Sequence, residues 1–206
     1  PATRGTTTWF AKTTGSAVPT VQQFSVANLG ATPFQTLCSN TLFARCTETK
    51  INEKLKVSAT DAVNYLLGDQ TNQAKNGKTV KLRDRTTPLG DIVNSSPVIS
   101  TPNMDDYGYT SLRGTTAGSY DPYNYADFLK NTKKNRDSMV YVGANDGMLH
   151  AFDGKTGIER FAYIPATALG HMGNLLFPYS VDDKNDQTFS HRYFVDGPVT
   201  VSDARI

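Results

Sequence analysis

Residues 138–161, SMVYVGANDGMLHAFDGKTGIERF, constrain the fold more than any other stretch of the chain. Met139–Gly143 is an apolar run of residues suited to a pleated sheet. Asn145-Asp146-Gly147 follows, and Asp-Gly is a hairpin signal because it tolerates positive φ. Met148–Asp153 is a second run, Asp153-Gly154-Lys155-Thr156-Gly157 a second turn, and Ile158–Ile164 a third run. Three antiparallel strands at this spacing predict an all-β fold, with these residues forming part of one four-stranded blade of a β-propeller. A single blade cannot bury both of its faces, so the pattern also predicts a larger assembly.

Composition agrees with short strands and turns. Hydrophobic residues make up 38% of the 206-residue chain. That share is below the globular average, and Thr, Ser, Asn and Gly fill the gap. The same composition suits an extracellular surface protein. The net charge of +2 gives no broad electrostatic case for nucleic acid or membrane lipid. No apolar run reaches the ~18 residues of a membrane span. The chain opens on Pro1 and ends mid-pattern at Ile206, so it is expected to be a piece of a longer polypeptide. The lack of a signal peptide therefore says nothing about compartment.

Along the chain, Thr6–Phe10 and Val21–Val26 are expected to pair as edge strands, with Trp9, Phe10 and Phe24 packing on one side. Residues 28–56 show no period and read as an irregular loop. Ser58–Gly68 is the one clear helix: Ser58 can cap it, Asp61 stands three residues on, and Gly68 can close it. Residues 69–87 read as a polar, solvent-exposed connection. Pro97–Ser100 is the blade's first strand, cut off from the other three by a 37-residue insertion at 101–137. Asp121–Leu129 within it has the pattern of a short helix. Residues 165–190 read as another loop. Asn94-Ser95-Ser96-Pro97-Val98-Ile99 is echoed by Val195-Asp196-Gly197-Pro198-Val199-Thr200, with the prolines 101 residues apart. The organisation expected is a lead-in at 1–88, one full blade at 89–164, and at 165–206 a loop with the first strand of the next blade.

Ala151-Phe152-Asp153-Gly154-Lys155-Thr156-Gly157 and Phe161 together resemble the A-x-D-x-x-T-G-x-x-x-W repeat of quinoprotein-type propellers, with Phe161 where the repeat has Trp. In that pattern Asp153 bonds the turn amides after it, Gly157 takes positive φ, and the aromatic position seals blade against blade. A longer ordered set, LGDIVNSSPV, VYVGANDGMLHAFDGKTG, ERFAYIP and HRYFVDGPVTVSDA, resembles the PilC/PilY family of type IV pilus tip proteins. That resemblance implies a C-terminal propeller on a larger protein, exported through the periplasm to the pilus tip or outer membrane. It implies a role in pilus biogenesis, cell adhesion and twitching motility, with virulence as the family's setting. The implied partners are minor pilins of the tip complex and a host-cell or abiotic surface. The metal motif of the family's von Willebrand-like domain, D-x-S-x-S, is absent here. Leu67-Gly68-Asp69 lacks the Arg of an integrin-binding RGD. The family's calcium loop falls later in the propeller, so no cofactor is expected in this stretch.

Cys38 and Cys46 can close a short loop by a disulfide if the protein is exported; two unpaired thiols are the alternative. Asp182–Gln187 is a candidate calcium loop, but every register of it breaks the oxygen-ligand pattern, and a solvated acidic loop is preferred. His150, His171 and His191 lack metal-ligand spacing, and His150 is expected to pack on a strand. No nucleophile or phosphate-cradling motif occurs, so no catalytic residue is named and the chain is read as non-enzymatic. Lys130, Lys133, Lys134 and Arg136 read as a solvated basic run. Tyr107, Tyr109, Tyr120, Tyr123 and Tyr125 in the insertion are candidate partner-binding residues, since Tyr offers large amphipathic contact area at low entropic cost. Asn145, Asp146, Gly147, Asp153, Thr156, Gly157 and Phe161 are assigned to the blade scaffold. A quinone-dependent dehydrogenase and a sugar-binding propeller lectin are the alternative functions.

Overall fold

The computed structural model describes residues 7–12, 19–40, 42, 46–77, 82–103, 125, 128–178 and 191–203. The strands are β1 (Thr7–Lys12), β2 (Thr20–Gln23), β3 (Val98–Ser100), β4 (Met139–Gly143), β5 (Leu149–Asp153) and β6 (Glu159–Ile164). They form one mixed sheet in the order β2-β1-β6-β5-β4-β3. β3 to β6 make an antiparallel meander in chain order, as the two turn signals require. At the first turn the N–H of Ala144 donates to the Met148 carbonyl (3.0 Å), and Gly147 sits at φ 91°. At the second, Asp153 Oδ1 accepts from the backbone N–H of Lys155 and of Thr156, both at 2.9 Å. Those two amides, Thr156 first, hold the Asp153 carboxyl below the usual carboxylate range.

The lead-in does more than precede the blade. β1 pairs antiparallel with β2 and parallel with β6, so the hairpin extends the meander by two strands. Alternation then separates Trp9 from Phe10. Phe10 and Phe24 are buried, edge to face at 6.0 Å, while Trp9 lies on the other face and is 38% exposed. The expectation that all three pack on one side fails because successive residues of one strand face opposite ways.

Residues 28–56 are not an irregular loop, and the chain has more than one helix. The short helices α1 (Val26–Leu29), α2 (Pro33–Leu37) and α3 (Glu48–Lys50) fold there, and α3 runs on into a wider helical turn at Ile51–Leu55. Each is too short to show a period. Their Leu29, Phe34, Leu37, Ile51 and Leu55 all enter the core. Next comes α4 (Ala59–Leu66), whose Ser58 cap accepts from the Asp61 N–H at 3.1 Å and donates to its carboxylate at 2.7 Å. The supposedly exposed connection 69–87 is pinned by fully buried Gln73 and Leu82, which form a parallel bridge. After β6, residues 165–178 hold a short helix, α5 (Ala166–Leu169), and a tight turn at Met172–Leu176 that is buried throughout.

All of these elements cover one face of the sheet. Thr8, Phe10, His150, Ala162 and Ile164 are buried on it. The opposite face carries Val98, Tyr141, Leu149, Phe161 and Tyr163, all partly exposed. Residues 191–203 cross the end of the meander without a strand ladder to any described residue. Most of the insertion, including the expected helix except Tyr125 and residues 128–129, lies outside the described residues.

A disulfide joins Cys38 to Cys46, and the Cys46 N–H donates to Asn174 Oδ1 at 3.1 Å, tying the cystine loop to the segment after β6. Closing this short loop restricts the unfolded chain by about 2.5 kcal/mol. The Cys38→Ala, Cys46→Ala double variant is therefore expected to lose about that much stability in urea titrations, with the change in free energy exceeding that of a surface control.

Candidate functional site

The segments Leu89–Ser95, Gly143–His150 and His191–Asp196 lie far apart in sequence and meet in one polar knot at the end of the blade. Asn145 is its hub. Its N–H donates to the Asp91 carbonyl (3.0 Å), its amide Nδ2 to Asp91 Oδ2 (2.8 Å), and its Oδ1 accepts from the Phe194 N–H (3.0 Å). His191 Nε2 reaches the same Asp91 carboxylate at 2.8 Å. Ser95 Oγ accepts from the Gly143 N–H at 2.9 Å. Asn94 donates both its backbone N–H (2.9 Å) and its side-chain amide to the Asp196 carboxylate. The two copies of the repeated segment thus lie side by side, joined by Asn94 and Asp196. A Cβ on Gly143 would stand 2.4 Å from the Val195 carbonyl oxygen, so only glycine fits beneath that crossing segment.

Beneath the knot lies a buried ion cluster. His150 Nδ1 meets Glu159 Oε1 at 2.6 Å, and its Nε2 meets both Asp146 oxygens at 3.1 Å. All three side chains are buried. Burial by itself opposes the charged ring, but Asp146 and then Glu159 outweigh it and push the His150 pKa up to about 9. Asp146 also accepts from the N–H of Gly90 (2.8 Å) and of Met148 (3.2 Å). His150 therefore does more than pack on its strand. It is an imidazolium that ties the first hairpin turn to β6. Sequence reasoning singled out His150 and Asp146 separately and missed Glu159. The available signal was a His and two acids within fourteen residues of one meander, on strands and a turn already expected to pair.

The other singled-out residues fall as follows. Of the five candidate tyrosines only Tyr125 is described; its hydroxyl donates to Asp203 Oδ2 at 2.8 Å and its ring stacks on Phe128 at 5.8 Å. Lys133 meets the same carboxylate at 2.7 Å and is buried, so the basic run is not solvated throughout. Tyr107, Tyr109, Tyr120, Tyr123 and the acidic loop Asp182–Gln187 lie outside the described residues. Phe161 stands 6.4 Å from Tyr141 on the open face of the sheet. His171 stacks on Phe194 at 4.3 Å and does not approach His150 as a ligand partner. Among the described residues no group of three His, Cys, Asp or Glu is placed to hold a metal ion, and no helix is long and apolar enough to cross a membrane.

The described structure is mostly β, an antiparallel four-stranded meander within a six-stranded sheet, closed at one end by a knot that draws in the following segment. A family model described as the PilY1 beta-propeller domain matches residues 89–205. The chain belongs to that family. It is 41% identical over 150 residues, 72% of its length, to a protein named type IV pilus biogenesis factor PilY1 homolog from Xylella fastidiosa, of which it covers 9%. Type IV pilus biogenesis factor PilY1 of Pseudomonas aeruginosa strain UCBPP-PA14 is 41% identical over 122 residues, 59% of this chain and 9% of that protein. Its counterpart in strain PAK is 33% identical over 154 residues, 74% of this chain and 12% of that protein. The chain thus spans about a tenth of the length of these relatives. No solved structure matches. Nothing in the relatives' names favours a dehydrogenase or a lectin.

The ion cluster has a pH signature. The folded-state pKa of His150 lies above its unfolded value near 6.5, so its stabilisation is complete below that value and is lost as pH rises through about 9. Urea unfolding between pH 6 and pH 10 is expected to show a loss of about 3 kcal/mol across this window. His150→Gln should be less stable at pH 6 and should flatten the profile. In the knot, Gly143→Ala should cost about 2 kcal/mol or more by driving a methyl into Val195, read as a lowered melting temperature.

Proposed function

We propose that this chain is part of the propeller of a non-enzymatic, pilus-associated surface protein that acts in type IV pilus assembly, adhesion and twitching motility. One observation carries the reading. The stretches that resemble the pilus-tip family, 89–100 and 138–204, contain the segments that interlock through Asn145, Asp91 and Asp196. What the chain shares with its relatives is therefore a rigid platform, and a platform suits a protein that works by presenting loops. The open face bearing Tyr141, Phe161 and Tyr163 is where a neighbouring blade stacks, with 195–200 leading into that blade. The insertion at 101–137 leaves between β3 and β4 and is the segment presented to partners: minor pilins of the tip complex, or a host or abiotic surface. Calcium, if the parent protein uses it, is held elsewhere in that protein.

A strain lacking the parent protein is expected to lose surface pili and twitching. Restoring it with residues 104–124 exchanged for a Gly-Ser linker should return pili but leave surface attachment several-fold lower. Electron microscopy of pili, stab-agar twitching zones and attachment counts are the measurements. Unchanged piliation, twitching and attachment in the deletion strain overturn the reading.

A further inference from the structure

Between the connection 75–91 and the first blade turn lies an open cleft of about 470 Å³. Three carboxylates line it, and each is already supplied with donors. Asp84 accepts from the Lys75 N–H at 2.8 Å, Asp91 from Asn145 and His191, and Asp146 from Gly90, Met148 and His150. Arg85 and Lys75 are in the reverse condition. Arg85 stacks its guanidinium 4.0 Å from the centre of the Tyr65 ring and donates one N–H to the Tyr65 carbonyl. It forms no ion pair with a carboxylate among the described residues, and its Nε is buried with no hydrogen-bond partner. Desolvation is the largest influence on it and lowers its pKa; Asp146 and Asp69 oppose this only through space, without a contact. Lys75 lies beside it with Nζ on the Arg85 carbonyl at 3.0 Å, also without a carboxylate. A partly buried cation normally has a counter-charge, because its lost hydration is otherwise uncompensated. Here the ring and carbonyl of Tyr65 hold the guanidinium in place at the lining of the cleft, where none of the resident carboxylates pairs with it.

We infer that this cleft is a binding site for a single carboxylate, supplied by an acidic side chain of a protein partner and held by Arg85 with Lys75. The lining carries as many carboxylates (Asp84, Asp91, Asp146) as cations (Lys75, Arg83, Arg85), so it offers no excess positive charge to a doubly charged phosphate and suits one planar monoanion on the Arg85 fork. The wall formed by Pro88 and Leu89 is apolar, which suits the neighbouring side chain of a peptide. A sugar acid would want an exposed aromatic face, and the nearest ring, Tyr65, is covered by Arg85 itself. The site is independent of which partner the insertion engages.

The test is a titration of the 206-residue chain, followed by its backbone amide NMR signals, with acetyl-Gly-Glu-Leu-Gly-amide and its Gln counterpart. Sodium glucuronate and inorganic phosphate are run in parallel. The glutamyl peptide is expected to shift the Thr86, Thr87 and Gly90 amides saturably in the millimolar range, and the glutaminyl peptide at least about tenfold more weakly. Arg85→Gln should weaken binding about tenfold. Because Arg85 also packs on Tyr65, Lys75→Gln serves as a second variant outside that packing, with an expected loss of about threefold and an unchanged spectrum elsewhere. The inference is overturned if the glutamyl peptide gives no saturable shift at these amides, if both peptides bind equally, if Lys75→Gln has no effect, or if glucuronate or phosphate binds more tightly than the peptide.

Discussion

The imidazolium of His150 between Asp146 and Glu159 is the contact on which the rest of this structure depends. It is buried beneath the first blade turn, where an uncompensated charge would cost several kcal/mol. Compensation requires β5, β6 and the Asn145–Gly147 turn to be in one register, since His150 comes from the first, Glu159 from the second and Asp146 from the third. Asp146 then passes the constraint on by accepting from the Gly90 N–H, which brings in the segment before β3. A one-residue slip of the hairpin would move His150 to the open face and leave two buried carboxylates unpaired.

Around that centre the sheet is asymmetric. Its covered face is packed by the cystine loop, α4 and the residues after β6, elements drawn from both ends of the chain. Its open face is rich in aromatic and aliphatic groups that are only partly shielded. The β1–β2 hairpin lengthens the sheet at β6, on the side away from β3. The result is a unit with one closely packed face and one that is only partly covered.

The polar knot explains why the family's recognisable segments are mostly not apolar. The Asn145 and Asp196 side chains accept from the Phe194 and Asn94 N–H groups of chain segments that cross without forming ladders, and Asp91 and the Asn94 amide pair with those side chains in turn. Buried or half-buried crossings of that kind need side chains of fixed length and hydrogen-bonding capacity, and Gly143 is needed where the Val195 carbonyl passes overhead. The same engagement of acids at the knot leaves Arg85 and Lys75 facing the cleft without a carboxylate.

Local chemistry decided the meander. Asn145-Asp146-Gly147 and Asp153–Gly157 are turns on their own account, the runs between them alternate, and Ser58 with Asp61 caps a helix wherever it docks. The sequence order of LGDI, ANDG and RYFVDG was also enough to mark the family. Tertiary structure alone decided the rest. The short helices between residues 26 and 55 form because Leu29, Leu37, Ile51 and Leu55 find one shared core, although each helix is too short for periodicity to register. The parallel pairing of β1 with β6 joins residues more than 150 positions apart, which no local pattern encodes. Glu159 carried no local mark of its role, and only the sheet set it against His150. Charge state and burial depend on what the fold brings near, and that information resides in no single segment.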